Sequence, residues 1–395
     1  MHRLLLALAL IFPLRALADS PMFRGDAAHT GVYAPPAKPI AGKIAWSYEP
    51  ITWEQYQALE DMDGTFIWPT TPAVVEGRIY FCAGPFFICL DEAGKPVYRV
   101  RLAGCSLASP AIADGLAFVP SDAGVLAALD VKNGDVRWTA RIGGASQLRQ
   151  IDNWDVYQSS PTVAGGVVYI GGVDGRIYAI EARDGAVKWS FATGRVVRAT
   201  PAVADGRVFC GSFDGNVYAL DAATGKQLWA VNTKTPGVPW NAVQGSCAVV
   251  DGRVYVGSRS AHFYAIDAAD GKILWRHDAK GGWVPSSPAV RDGVAYVGQS
   301  DGNKVTALSA DGHVQWSFDS PNETFASPAL AGDVLYVAGN DNYNMRGKGS
   351  LSAVDIKTGK SLWNLELPAS VWSSPVVVGD TIYLGCADGK LYAIK

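Results

Sequence analysis

Residues Thr200 to Trp229 read TPAVADGRVFCGSFDGNVYALDAATGKQLW, and their punctuation decides the fold. Three turn signals, Asp205-Gly206, Asp214-Gly215 and Thr224-Gly225, separate short runs rich in Val, Tyr, Phe and Leu. Asp-Gly between such runs marks a tight hairpin, because glycine adopts the positive φ that primed turns demand. Four short antiparallel strands joined by three tight turns make one blade of a β-propeller.

The unit recurs. Its opening Ser/Thr-Pro places proline at 72, 110, 161, 201, 288, 328 and 375, and Ser246-Cys247 fills the same slot once more. The eight openers stand 38 to 51 residues apart, a period that outranks the two or three domains that 395 residues would otherwise suggest. The closing aromatic falls at Tyr98, Trp138, Trp189, Trp229, Trp275, Trp316 and Trp363, one short of eight, because the last repeat stops at Leu391-Tyr392-Ala393-Ile394-Lys395. The missing closer is near the other end, in Lys43-Ile44-Ala45-Trp46. The expected fold is therefore all-β: an eight-bladed β-propeller with four-stranded antiparallel blades, closed by an N-terminal strand and spanning residues 19–395 as one domain. Proline suits the innermost strand because it gives up a ladder donor at an edge. The tryptophans are expected to pack between blades rather than to hold a cofactor.

Residues 1–18 read as a secretory signal peptide. Met1-His2-Arg3 is a basic start, Leu4 to Leu14 an apolar run, and Ala16-Leu17-Ala18 the small-residue cleavage pattern. The run is shorter than the roughly 20 apolar residues of a spanning helix, so no membrane insertion is expected. Asp19 stands where a lipid-anchored protein would carry cysteine. A periplasmic or secreted monomer is the expectation. Of 34 Lys and Arg, two leave with the leader, against 37 Asp and Glu, so the mature charge is about −5 with no basic tract. Nucleic-acid binding through clustered phosphate contacts is excluded on that ground.

The six cysteines include no CxxC, CxxCH or vicinal pair, which leaves no support for haem attachment or a Cys-based zinc site. Cys82 and Cys89, on either side of a shortened hairpin, form the candidate disulfide. His29, His262, His277 and His313 have no ligand-spaced neighbours and read as solvated loop residues. No GxSxG, HExxH or P-loop pattern occurs.

Tyr218 to Trp229, Tyr264 to Trp275, Ala128 to Trp138 and Ala353 to Trp363 resemble the tryptophan-docking motif of quinoprotein (PQQ-type) propellers. Pro21 to Gly31 is similar to the openings of such repeat proteins. The resemblance covers nearly all of the mature chain and is more specific for fold than for function. One branch of that family, the PQQ-dependent dehydrogenases, holds PQQ in the channel with a metal, an aspartate base and, in many, a disulfide of adjacent cysteines. The other is the non-catalytic propeller of the outer-membrane β-barrel assembly machinery. This chain has no adjacent cysteines and little room for dehydrogenase-sized insertions. The resemblance thus implies a non-enzymatic binding or scaffold protein of the cell envelope with no cofactor. A PQQ-dependent oxidoreductase using calcium or a lanthanide is the alternative, and a carbohydrate-binding propeller the second alternative.

Strand direction sorts the loops onto two faces. We call upper the face on which first strands begin, together with the turns between strands two and three; the other turns lie on the lower face. Lower turns are near-minimal, whereas four insertions fall above, at 47–67, 141–158, 231–245 and 340–350. Within the first of these, Thr52-Trp53-Glu54-Gln55 fits a capping box. The insertions carry Arg149, Trp154, Tyr157, Trp240, Asn241, Tyr343 and Arg346, while Trp68, Arg198, Trp283, Phe325 and Trp372 sit just before first strands. Irregular loops on a regular scaffold are where binding concentrates, and aromatic and Arg residues are enriched at binding hot spots. These residues are the predicted binding face for a protein partner or a small polar ligand.

Overall fold

The structure is a computed structural model that describes residues 19–52, 54–55, 68–144, 158–341 and 347–395. Its strands form eight sheets arranged as a propeller ring. Blade 4 shows the plan: Ala202–Ala204, Arg207–Gly211, Asn216–Asp221 and Gln227–Asn232 pair antiparallel in chain order from the axis outward. Asp205 and Gly206 make its first turn, both at positive φ (48° and 70°), which is the type I′ geometry their pairing calls for.

The two middle strands of each blade are buried on both faces, so their side chains alternate between two neighbours. In blade 4, Phe209, Val217 and Ala219 pack with blade 5, while Val208, Cys210, Tyr218 and Leu220 pack with blade 3. The closing aromatic seals each seam. Trp229 donates its indole N–H to Ala268 O of blade 5 at 3.1 Å, and its ring lies so close over Gly271 that a Cβ there would come within 2.9 Å. Glycine at that turn is thus required by close approach as well as by its φ of 80°. Blade 1 uses Tyr98 instead, its hydroxyl on Val131 O at 3.0 Å.

The eighth blade is assembled from both chain ends. Ile44–Tyr48 pairs with Leu391–Ile394, Trp46 lies opposite Ala393, and Lys43 and Lys395 exchange two backbone hydrogen bonds of 2.8 Å. The seam motif recurs across this junction. Trp363 donates to Ile40 O at 2.7 Å over Gly42, and Trp46 donates to Glu92 O at 3.3 Å over Gly94. The expected N-terminal closure is the observed one.

A second N-terminal element was not foreseen. Residues 19–33 run inside the ring along the first strands. The backbone N–H groups of Val74, Ile112, Val203, Val249, Val290 and Leu330 donate to carbonyls of Ser20, Pro21, Ala27, Ala28, Thr30 and Gly31, at 2.6–2.9 Å. First strands present an unpaired edge to the axis, and these bonds satisfy it in six blades. Val32–Tyr33 then adds to blade 7 as a parallel strand beside Ala329–Ala331.

The candidate disulfide is not formed. Register sets Cys82 opposite Phe87 and Cys89 opposite Tyr80. The two cysteines are therefore diagonal neighbours, which stand roughly 7–8 Å apart, beyond the usual Cα range of a bridge. Both are buried free thiols, and burial pushes them up to about 12 and about 11. The expected capping box is present: Thr52 N–H donates to Gln55 Oε1 at 3.1 Å and Gln55 N–H to Thr52 Oγ1 at 3.3 Å.

Candidate binding site

The Ser/Thr of each opener has a role that the sequence reading gave only to its proline. Ser109 N–H donates to Ser160 Oγ of the next blade at 3.0 Å. The same link runs on through Thr200, Ser246, Ser287, Ser327 and Ser374 to Thr71, every step between 2.8 and 3.0 Å. A near-complete ring of hydroxyls, open between Thr71 and Ser109, therefore stitches the blades together around the axis. Each linked oxygen accepts a backbone N–H, which leaves its own proton to find another acceptor.

Above this ring the channel opens into a cup that is open to solvent at its mouth. Phe23, from the segment inside the ring, contributes to its lining beside the hydroxyls. One wall is aromatic. Trp68 and Trp372 are stacked with centroids 6.1 Å apart and planes at 23°, and Phe325 lies 5.2 Å from Trp372. The opposite wall is polar, formed by Gln158, Arg198 and Gln244. Gln158 Oε1 accepts Leu107 N–H at 2.9 Å, and Gln244 Oε1 accepts from Arg259 Nε at 2.7 Å. Arg259 is itself buried between the rings of Phe213 and Trp283, 5.0 and 4.4 Å from their centroids, a double cation–π contact.

The predicted binding face thus divides. Trp68, Arg198 and Trp372 come together in the cup, but they are buried there rather than displayed outward. Trp283 serves as Arg259's platform and approaches Trp240 at 6.4 Å. Trp240 is 47% exposed and is the outward-facing aromatic of the predicted set among the described residues. Asn241 is spent on its own loop, its carbonyl on Thr235 N–H and its amide on the carbonyls of Thr235 and Val238. Arg149, Trp154, Tyr157, Tyr343 and Arg346 lie outside the described residues.

Beneath the cup the inner segment buries charge. Arg24 is 1% exposed, and its Nη2 donates to Pro288 O at 2.9 Å, one residue from the ring's Ser287. Its Nε and Nη1 have no partner. Asp26, the nearby carboxylate, is held by the N–H and hydroxyl of Thr30. The reading of every histidine as a solvated loop residue is corrected here. His29 is fully buried against Thr162 Oγ1 at 3.0 Å, and burial together with the Arg24 charge pulls it down to about 3. His262 is buried on a strand, whereas His313 is exposed beside Asp311. A run of small and polar residues, Asp26-Ala27-Ala28-His29-Thr30, carries no periodicity that would reveal this burial.

The described lining of the cup does not supply the donors that the dehydrogenase branch needs. Among the described residues no Asp or Glu lines it, and no cluster of three His, Cys, Asp or Glu could hold a metal ion. A hard cation such as calcium needs several oxygen ligands, carboxylates foremost, so the described lining does not by itself fit a metal-assisted PQQ site.

Comparison with known proteins places the fold. A family model described as outer membrane protein assembly factor BamB matches residues 38–156, 148–243 and 213–371. The assembly factor BamB of Yersinia pestis is 29% identical over 107 residues, 27% of this chain and 25% of that protein. The match therefore spans about a quarter of this curated relative's length. Among solved structures, BamB from Moraxella catarrhalis superposes with a TM-score of 0.67 at 19% identity, covering 89% of this chain and 96% of that one. The quinohemoprotein alcohol dehydrogenase of Comamonas testosteroni superposes with a TM-score of 0.73 at 16% identity, over 95% of this chain and 80% of that one. Both structural likenesses show the propeller alone. With the family model spread over most of its length, the chain belongs to the PQQ-type propeller family described as outer membrane protein assembly factor BamB.

Proposed function

We propose that this protein is a non-enzymatic scaffold of the cell envelope that holds a protein partner on its upper face during outer-membrane protein assembly. On this reading residues 1–18 are removed on export and the mature ring works in the periplasm. Family membership supports the assembly role, and the relatives' names carry the same word. The observation that carries the non-enzymatic half is the cup. It sits where a catalytic channel would open, yet its described lining offers hydroxyls, amides, one guanidinium and aromatic rings, with no general base and no metal ligands. Fold likeness to a dehydrogenase does not restore that chemistry.

The test is affinity capture from envelope extract with the mature protein, proteins being identified by mass spectrometry, run beside a PQQ and calcium or lanthanide titration with dye-linked alcohol oxidation. The expected result is enrichment of outer-membrane assembly proteins and no turnover. Stoichiometric PQQ binding with turnover would contradict the proposal and support the oxidoreductase.

A further inference from the structure

Beside its aromatic contact each seam places two further side chains against one another. One stands two residues after the closing aromatic, on the outermost strand of a blade; the other lies on the third strand of the next blade. The first slot is apolar in seven of the eight seams, as at Ala140, Phe191, Val231 and Leu365. Facing those four are Tyr178, Tyr218, Tyr264 and Tyr392. Phe191 and Tyr218 meet edge-on at 5.3 Å, and the hydroxyls of Tyr178, Tyr218 and Tyr392 each donate to the aspartate of the preceding turn at 2.5–2.6 Å.

The seam between blades 5 and 6 keeps the aromatic contact and loses both members of this pair. Trp275 still donates to Ala310 O at 2.9 Å, over Gly312. His277, however, takes the apolar slot and Thr306 the tyrosine slot. Both line a groove on the outer flank of the ring, whose floor runs from Lys304 at one end of a strand pair to Val314 at the other. Thr306 is 2% and Gln299 6% exposed, so two polar side chains are buried in its lining. Thr306 Oγ1 lies 3.3 Å from Ser317 Oγ, whereas the Gln299 side-chain amide makes no hydrogen bond among the described residues. The charges at the rim balance. Lys304 Nζ is 3.8 Å from Asp319, and the carboxylate of Asp278 accepts the Lys280 backbone N–H at 2.7 Å. Burial holds His277 below its ordinary value, which leaves its ring neutral at pH 7. The groove thus offers a place for a ring and a buried hydrogen-bonding group, with no net charge to select an ion.

We propose that this groove binds a phenol ring, supplied either as a free small phenol or as the tyrosine side chain of a polypeptide. The repeat is its own template, because in four blades a tyrosine ring already occupies this slot against the preceding blade. The guest ring packs between His277 and Thr306, and its hydroxyl meets the Gln299 amide. A tyrosine-type ring suits such a site, being apolar in body with one polar tip that needs a partner when buried. The site stands on the geometry of this seam and not on the assembly role. A mature protein that captures no envelope proteins but binds the phenol would overturn that role and leave the site intact.

The test is ligand-observed NMR titration of the mature protein with p-cresol beside its methyl ether, and with N-acetyl-tyrosinamide beside N-acetyl-phenylalaninamide. At least one of the two phenols should bind saturably, with its partner lacking the hydroxyl about fivefold weaker. Thr306→Tyr restores the repeat and fills the groove from within. It should abolish saturable binding while leaving the unfolding midpoint unchanged or raised. Should that variant lower the midpoint, Gln299→Leu removes the amide at similar size and should weaken the phenol by about fivefold. Binding of p-cresol alone identifies a small phenol, and binding of N-acetyl-tyrosinamide identifies a tyrosine side chain; either supports the site. No saturable binding by either phenol, equal affinity for the partners lacking the hydroxyl, or full affinity in a well-folded Thr306→Tyr or Gln299→Leu variant would overturn it.

Discussion

The seams between blades and the axis of the ring are built by the same repeat, yet they differ in symmetry. At the seams one contact recurs: an aromatic ring over a turn glycine with its donor on a backbone carbonyl, as in Trp229 on Gly271 and Trp363 on Gly42. At the axis only the hydroxyl ring repeats. The slot two residues before each Ser/Thr changes from blade to blade, reading Pro69, Leu107, Gln158, Arg198, Gln244, Pro285, Phe325 and Trp372. A seam does the same mechanical work eight times, so one solution suffices. A cup that is polar on one side and aromatic on the other has to break the repeat.

If the ring depends on its N-terminal segment as the hydrogen bonds indicate, deletion of residues 19–50 is the most damaging change available. It removes the fourth strand of blade 8 and the carbonyls that satisfy six first strands. The truncated chain should show no cooperative chemical unfolding, and a transition like that of the mature protein would break the comparison at its root. A smaller effect tests whether the seams are truly equivalent. Trp46→Ala, at the junction of the chain ends, and Trp229→Ala, within a continuous stretch, should each lower stability by about 3 kcal/mol. Trp46 is half-buried, so its loss should be the lesser of the two. A negligible effect of Trp46→Ala beside a large one of Trp229→Ala would show that the ring is not closed there.

The axis has its own signature in pH. His29 is held down at about 3 in the fold and returns to the ordinary value of 6.5 when the chain unfolds. Below pH 6.5 the unfolded state takes up a proton that the fold refuses. The stabilisation is therefore fully present above that pH and is lost as pH falls toward 3. Between pH 7 and pH 5 the His29 contribution should decline by about 2 kcal/mol. The measurement is the difference between the unfolding curves of the mature protein and His29→Gln at the two pH values. Parallel curves would show that His29 titrates in the fold as it does in water.

The scaffold was legible in the sequence because its code is local and repeated. Asp-Gly turns, the spacing of the Ser/Thr-Pro openers and the count of closing aromatics fixed eight blades and located the missing strand at Trp46. The axis was legible only in part. Residues 19–33 bond to the blades through backbone atoms, which leave no side-chain pattern, so the buried inner segment with Arg24 and His29 passed as an ordinary opening. Trp68 and Trp372 were placed on the predicted binding face, but their burial depends on a stacking partner 304 positions away in the chain, set beside it only by ring closure. Asn241 was read as an outward polar group, whereas a tight loop consumes its amide. Cys82 and Cys89 fell on one face, but a two-residue offset in register separates them.

The central claim, a scaffold that meets its protein partner on the upper face, is tested most directly by placing a photo-crosslinking residue at two positions in exported protein. Position 240 lies on the exposed tip of an upper insertion, and position 226 in a lower turn of blade 4. Irradiation of cells producing each form, followed by identification of the adducts, should give crosslinks to an outer-membrane assembly protein from position 240 and none from position 226. Crosslinks to such a protein from position 226 alone, with position 240 silent, would contradict the assignment of the binding face.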